Sequence, residues 1–132
     1  MNLYEIMLEH YAPKDSEQGI YTYLIAESDE TVFDWVAAEH TLKDGRVLYN
    51  CYRGTEEDGE SYELYDSNYD VIGEETFKEK MVRLKGDMND DDVELTDLYY
   101  GKTLIGWKRI KEGITKDEIY TLQQTGISIE VA

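Results

Sequence analysis

A single cysteine, Cys51, rules out an internal disulfide and leaves no set of thiolates from which a zinc site could be built. Its place between Asn50 and Tyr52, in a stretch expected to be a strand, reads as a packed and unreactive thiol. Long apolar runs are missing as well, and nothing approaches the roughly 18 to 20 residues that a membrane-spanning helix needs. The first residues, Met1 to Glu5, carry no basic region, no apolar run of signal-peptide length and no small-residue cleavage site. These absences lead to the expectation of a cytoplasmic chain.

Positive charge is also scarce. Thirteen lysines and arginines stand against thirty aspartates and glutamates, for a formal net charge of −17. Nucleic acid and anionic membrane surfaces repel such a chain, so neither is expected as a direct partner. A basic protein, a cationic ligand or a metal ion remains compatible with it.

What is present points to a folded protein. The 132 residues suit one hydrophobic core and are too few for two, so the chain reads as a single domain over 1–132. A hydrophobic share of 41% with 12% aromatics argues against disorder despite the charge. Twelve tyrosines outnumber two phenylalanines, and a tyrosine can bury its ring while leaving its hydroxyl in water.

Periodicity supplies the elements. Tyr4, Ile6 and Leu8 alternate in an opening strand, and Ile20 to Ala26 is rich in β-formers, so the two form a hairpin across the turn residues Pro13 to Gly19. Ser28 caps a helix with Asp29 and Glu30 in its first turn, and Val32, Phe33, Val36 and Ala37 give it an apolar face for the sheet. Arg46 to Arg53 reads as a strand, Gly54 to Glu60 as an acidic loop and Ser61 to Asp66 as its hairpin partner, before a turn into Tyr69 to Ile72. Phe77, Met81 and Leu84 mark a second helix over about 74–85 that stops at Gly86. Thr103 to Ile110 is a strand, Thr115 and Glu118 form a capping box with Ile114 stapled to Ile119, and Ile127, Ile129 and Val131 alternate after Gly126. The expected class is α+β, a mostly antiparallel or mixed sheet of about five to seven strands with about three helices on one face.

The acids are segregated along the chain. Glu27 to Glu39 holds five of them, Gly54 to Glu75 nine and Asp87 to Asp97 six, none of these stretches containing a lysine or arginine. Most solvated surfaces mix both signs. Carboxylates two apart on a strand lie about 6.6 Å apart, and one helical turn apart about 5 to 6 Å. Both spacings approach that of successive phosphates on a nucleic-acid strand, whose charges repeat every ~3.4 Å along the axis and are separated further by the winding of the backbone. Tyr62, Tyr65 and Tyr69 lie among these acids, a composition common at interfaces, although rings of this kind also cover sheet faces.

Catalytic and metal motifs fail at their diagnostic positions. Asp87, Asn89 and Asp91 match the start of an EF-hand loop, but Asp92 stands where glycine is required and Leu98 where a bidentate glutamate is required. Gly101-Lys102-Thr103 resembles the end of a phosphate-binding loop, yet Thr96 replaces its first glycine. His10 and His40 could be written into a triad with Asp15 and Ser16, but no nucleophile elbow accompanies them. His40 is expected near the C-terminal end of the first helix, where positive charge is favoured. No metal, cofactor or catalytic residue is expected. The basic residues gather in Lys78, Lys80, Arg83 and Lys85 and again in Lys102, Lys108, Arg109 and Lys111, which would allow a homodimer using both signs of charge.

In size, acidity, tyrosine content and lack of enzyme motifs, the chain resembles the small inhibitors that phages and mobile elements encode against host defence, the anti-CRISPR and anti-restriction proteins. That resemblance implies a DNA mimic acting in a bacterial host cell, without enzymatic activity, on a basic nucleic-acid-binding protein such as a nuclease or CRISPR effector. The acidic segments assigned to contact are Glu56, Glu57, Asp58, Glu60, Tyr62, Glu63, Tyr65, Asp66, Tyr69 and Asp70, with Asp87, Asp90, Asp91, Asp92, Glu94 and Asp97. Two alternatives remain open: an accessory domain whose acidity serves solubility, with tyrosines or basic patches as its binding surface, and a hydrolase using His10 or His40.

Overall fold

The opening hairpin forms the centre of the sheet. In the computed structural model, which describes residues 1–11, 18–38, 40–48, 61–86 and 102–132, β1 (Asn2–Tyr11) pairs antiparallel with β2 (Gln18–Ala26). The second strand begins two residues earlier than its β-formers imply, because Gln18 and Gly19 continue the ladder opposite His10 and Glu9. The chain then enters α1 (Asp29–Ala37), where the Ser28 hydroxyl accepts a hydrogen bond from the Thr31 amide as the cap requires. Val32, Phe33, Trp35 and Val36 are its buried residues.

Two short strands follow, β3 (His40–Thr41) and β4 (Val47–Leu48), paired with each other. The described part of the expected strand from Arg46 to Arg53 therefore pairs back onto His40–Thr41. Ser61–Tyr65 forms β5 as expected, but its described partner is the next strand, β6 (Val71–Thr76). The turn at 66–70 closes this hairpin locally, and a local closure costs less chain entropy than a longer one.

The second helix, α2 (Phe77–Arg83), starts three residues later than Glu74, since Glu74 to Thr76 complete β6. Thr76 caps it through a reciprocal box with Glu79, at 3.1 Å in both directions. It ends at Arg83, two residues short of the expected Lys85, and the expected stop Gly86, with φ +74°, sends its N–H back to the Met81 carbonyl. β7 (Lys102–Lys111) pairs antiparallel with β1, α3 (Lys116–Gln124) starts at the Thr115–Glu118 capping box, and β8 (Ile129–Val131) pairs parallel with β2.

The main sheet is thus mixed, in the order β7-β1-β2-β8, with β3–β4 and β5–β6 as separate two-stranded ladders. The class is α+β, with three helices and eight strands among the described residues. The helices do not share one face. Tyr4, Ile6, Leu8, Leu24 and Trp107 pack against α1 and Met81 of α2, whereas Leu3, Ile25 and Ile129 pack with Ile114, Ile119 and Leu122 around α3. Successive residues of β1 and β2 point to opposite faces, so apolar neighbours such as Leu3-Tyr4 and Leu24-Ile25 require cover on both sides.

Topology explains the split. β7 and β8 lie at opposite edges of the sheet, and α3 is the connection between them. One face already carries α1 and α2, so α3 crosses the other.

Candidate functional site

The β5–β6 hairpin brings the described members of the acid-and-tyrosine constellation together. Glu63 lies directly opposite Glu74, and Tyr65 directly opposite Val71. Since Tyr65 is two residues from Glu63, all four side chains share one face, and all four are exposed. The Tyr65 hydroxyl donates to the Glu63 carboxylate. That bond and the adjacent negative charge raise the Tyr65 pKa above the ordinary 10.0.

Asp66 builds the turn. Its Oδ1 accepts from the amides of Asn68 at 2.8 Å and Asp70 at 3.0 Å, while its own amide donates to the Asp70 carbonyl. An aspartate at the head of a turn satisfies local N–H groups in this way. Asp66 is therefore partly withdrawn into the turn, and Asp70 remains exposed.

Tyr69 stands at the tip. It is 87% exposed, and its φ of +62° lies in the left-handed region that glycine or asparagine ordinarily occupies. The register shifts between Leu64 and Tyr65, leaving Ile72 without a partner on β5, and Ile72 is exposed as well. The outward surface therefore combines Tyr65, Tyr69, Val71 and Ile72 with Glu63, Asp70 and Glu74.

The root of the hairpin is anchored. Glu75 is buried, and both its oxygens accept from Arg83 of α2, at 3.0 and 2.6 Å. Such a two-pronged pair fixes orientation as well as distance.

Tyr62 belongs to β5 opposite Glu75. The assigned residues Glu56, Glu57, Asp58, Glu60, Asp87, Asp90, Asp91, Asp92, Glu94 and Asp97 lie outside the described residues, as do Cys51 and the EF-hand-like segment. Sequence reasoning set the segment from Glu56 to Glu75 against the partner but did not name Glu74, Val71 or Ile72 among the contact residues. Their alternation with the β5 residues becomes informative only once the register is known.

His40 sits three residues beyond α1, close to its expected place. Its ring stacks on Trp35 with centroids 4.7 Å apart, and its Nε2 atom is buried without a hydrogen-bond partner. Among the basic residues, Lys78 pairs with Asp34, Arg83 with Glu75 and Lys111 with Glu118. Part of the positive charge is thus committed inside the molecule. Among the described residues, no group of three His, Cys, Asp or Glu side chains is placed to hold a metal ion, and no helix is long and apolar enough to cross a membrane.

Comparison with known proteins adds a lineage. The chain is 54% identical over 132 residues, 100% of both chains, to the SPbeta prophage-derived uncharacterized protein YoqY of Bacillus subtilis (strain 168). It belongs to the YoqY family. No protein-family model matches the chain, and no solved structure matches it. YoqY is prophage-derived, which agrees with the phage side of the compositional resemblance. The match to YoqY spans the whole stretch from Met1 to Ala132, so the segment that forms the hairpin here lies within it.

Proposed function

We propose that the chain is a non-enzymatic phage accessory protein that binds a basic nucleic-acid-handling protein and blocks its groove, in the manner of anti-CRISPR and anti-restriction DNA mimics. The observation that carries this reading is the outward surface of the β5–β6 hairpin, where exposed tyrosines stand among exposed carboxylates. Rings of this kind supply contact area at low entropic cost, and the acids steer a cationic partner toward them. A net charge of −17 extends that steering over the whole molecule. The stacking of the His40 ring on Trp35 favours a structural role for that histidine over acid–base work.

The test is retention from a bacterial lysate at low and high salt. A nuclease, polymerase or CRISPR effector that elutes with salt and is displaced by nucleic acid supports the reading. Reversal of Glu56, Glu57, Asp58 and Glu60 to lysine should abolish that retention without unfolding the chain. Retention that survives both salt and reversal would favour a second reading, in which the exposed tyrosines and apolar residues of the hairpin make the contact and the acidity serves solubility.

A further inference from the structure

We infer that the outward face of the β5–β6 hairpin is a docking surface for a cleft of a second protein lined by apolar groups and rimmed by lysines or arginines, with Tyr69 as the residue inserted into it. This rests on the proposed function and narrows it. The contact is assigned to a short, ordered projection, and a particular side chain is given the anchoring role.

Three features of the free hairpin oppose its own stability, and all lie on this projection. Tyr69 occupies a left-handed backbone conformation at the one position of the turn where glycine or asparagine would relieve it. Glu63 and Glu74 face each other directly across the ladder, an arrangement in which like charges repel. Tyr69, Ile72, Val71 and Tyr65 leave apolar surface in water beside one another in sequence and register. Natural chains keep locally unfavourable choices mainly where function requires them.

A basic, apolar-lined cleft removes two of these penalties and exploits the third. Cations on its rim neutralise the Glu63–Glu74 pair and Asp70, and its lining covers Val71 and Ile72. The left-handed turn holds Tyr69 forward, so the ring is presented without a further loss of backbone freedom on binding. Asp66 fixes that presentation through its hydrogen bonds to Asn68 and Asp70. Charge complementarity selects this occupant over a second copy of the chain, which would bring its own −17 and a basic set partly spent on internal ion pairs.

The experiment compares the full-length chain with Tyr69→Asn, Tyr69→Gly and the fourfold lysine reversal at positions 56, 57, 58 and 60. Each is immobilised against bacterial lysate, and what a duplex DNA oligonucleotide displaces is identified and quantified. Melting temperatures and sedimentation are measured on the same preparations. The expected result is at least a tenfold loss of the DNA-displaced protein for both Tyr69 variants, with a melting temperature unchanged or raised by about 3 °C. Tyr69 variants that keep the displaced protein, while the fourfold reversal loses it, overturn the anchor and leave the groove-blocking reading standing. A wild-type chain that retains nothing displaced by DNA overturns both. A dimer of the wild type that Tyr69→Asn dissociates assigns the surface to a second copy and overturns the basic cleft. A fall in melting temperature for Tyr69→Asn means that the ring serves the fold, and this too overturns the inference.

Discussion

Arg83 of α2 grips both carboxylate oxygens of Glu75, at 3.0 and 2.6 Å, where β6 passes into the helix. Only 9% of the Glu75 side chain is exposed, whereas about half of Arg83 is. The two ends of this pair therefore differ in what their loss costs. Truncating the arginine leaves a buried carboxylate without its partner, and such a group costs about 1–3 kcal/mol. The solvent reaching Arg83 holds the cost toward the lower end of that range.

Arg83→Ala should thus lower unfolding stability by about 1–2 kcal/mol, read from the midpoint of a urea titration at unchanged slope. A double variant, Glu75→Gln with Arg83→Ala, should recover part of the loss, because the buried charge has gone. A single variant indistinguishable from wild type would mean that the hairpin is not held through this junction.

Glu63 and Glu74 give the opposite sign. Replacing one of two directly opposed like charges by its counterpart turns repulsion into attraction, and cross-strand pairs of this kind are worth about 0.2–1 kcal/mol. Glu74→Lys should therefore stabilise the free protein by roughly 0.5 kcal/mol. Added salt should shrink the difference by screening the exposed pair. A destabilised Glu74→Lys chain would show that the carboxylate makes a favourable contact that outweighs its repulsion with Glu63.

Tyr65 provides a spectroscopic reporter of the same face. Its hydroxyl donates to Glu63, and a group that donates as a neutral species and sits beside a negative charge resists ionisation, so its pKa lies above 10.0. Glu63→Gln should return the Tyr65 titration toward that value, followed by the ring resonances of Tyr65 in an NMR pH series. Because the folded pKa is raised, the associated stability is present below pH 10 and is lost as the pH rises through the folded value. A Tyr65 titration insensitive to Glu63→Gln would exclude the hydrogen bond as its cause.

Much of the fold was legible where a local rule and its tertiary use coincide. Ser28 and the Thr115–Glu118 box cap their helices because the capping hydroxyl and the first free amides are neighbours in sequence. Thr76–Glu79 is the same device, and it went unread because the spacing of Phe77, Met81 and Leu84 extends back to Glu74 without it. The placement of α3 on the second face was also written in the sequence, in the apolar neighbours Leu3-Tyr4 and Leu24-Ile25. Reading one face alone from Tyr4, Ile6 and Leu8 concealed it.

The candidate site was legible in composition and not in register. Tyr65, Tyr69, Glu63, Asp66 and Asp70 are visible as an acidic, tyrosine-rich run, but the opposition of Glu63 to Glu74 depends on which strand pairs with β5. That choice is made by the turn at 66–70, whose left-handed residue is a tyrosine where sequence rules look for glycine. The turn itself was legible in Asp66, Ser67 and Asn68; that it closes β5 onto β6 was not, because Arg46 to Arg53 also offered itself as a partner strand.

The α3 capping box offers a test of whether the two faces of the sheet share one stability. The Thr115 hydroxyl accepts from the Glu118 amide at 3.1 Å, and Glu118 returns a carboxylate to the Thr115 amide while pairing with Lys111 of β7. Removing a cap of this kind costs about 1 kcal/mol. α3 has no fully buried residue and packs through Ile119 and Leu122 on the small cluster of Leu3, Ile25, Ile114 and Ile129, so it has little else to hold it. Thr115→Ala should therefore raise amide exchange across Lys116–Gln124 and at Ile129–Val131 while leaving Val32–Val36 of α1 protected. Uniform loss of protection in α1 and α3 would mean that both faces unfold as one unit; unchanged exchange in α3 would mean that water replaces the cap at no cost.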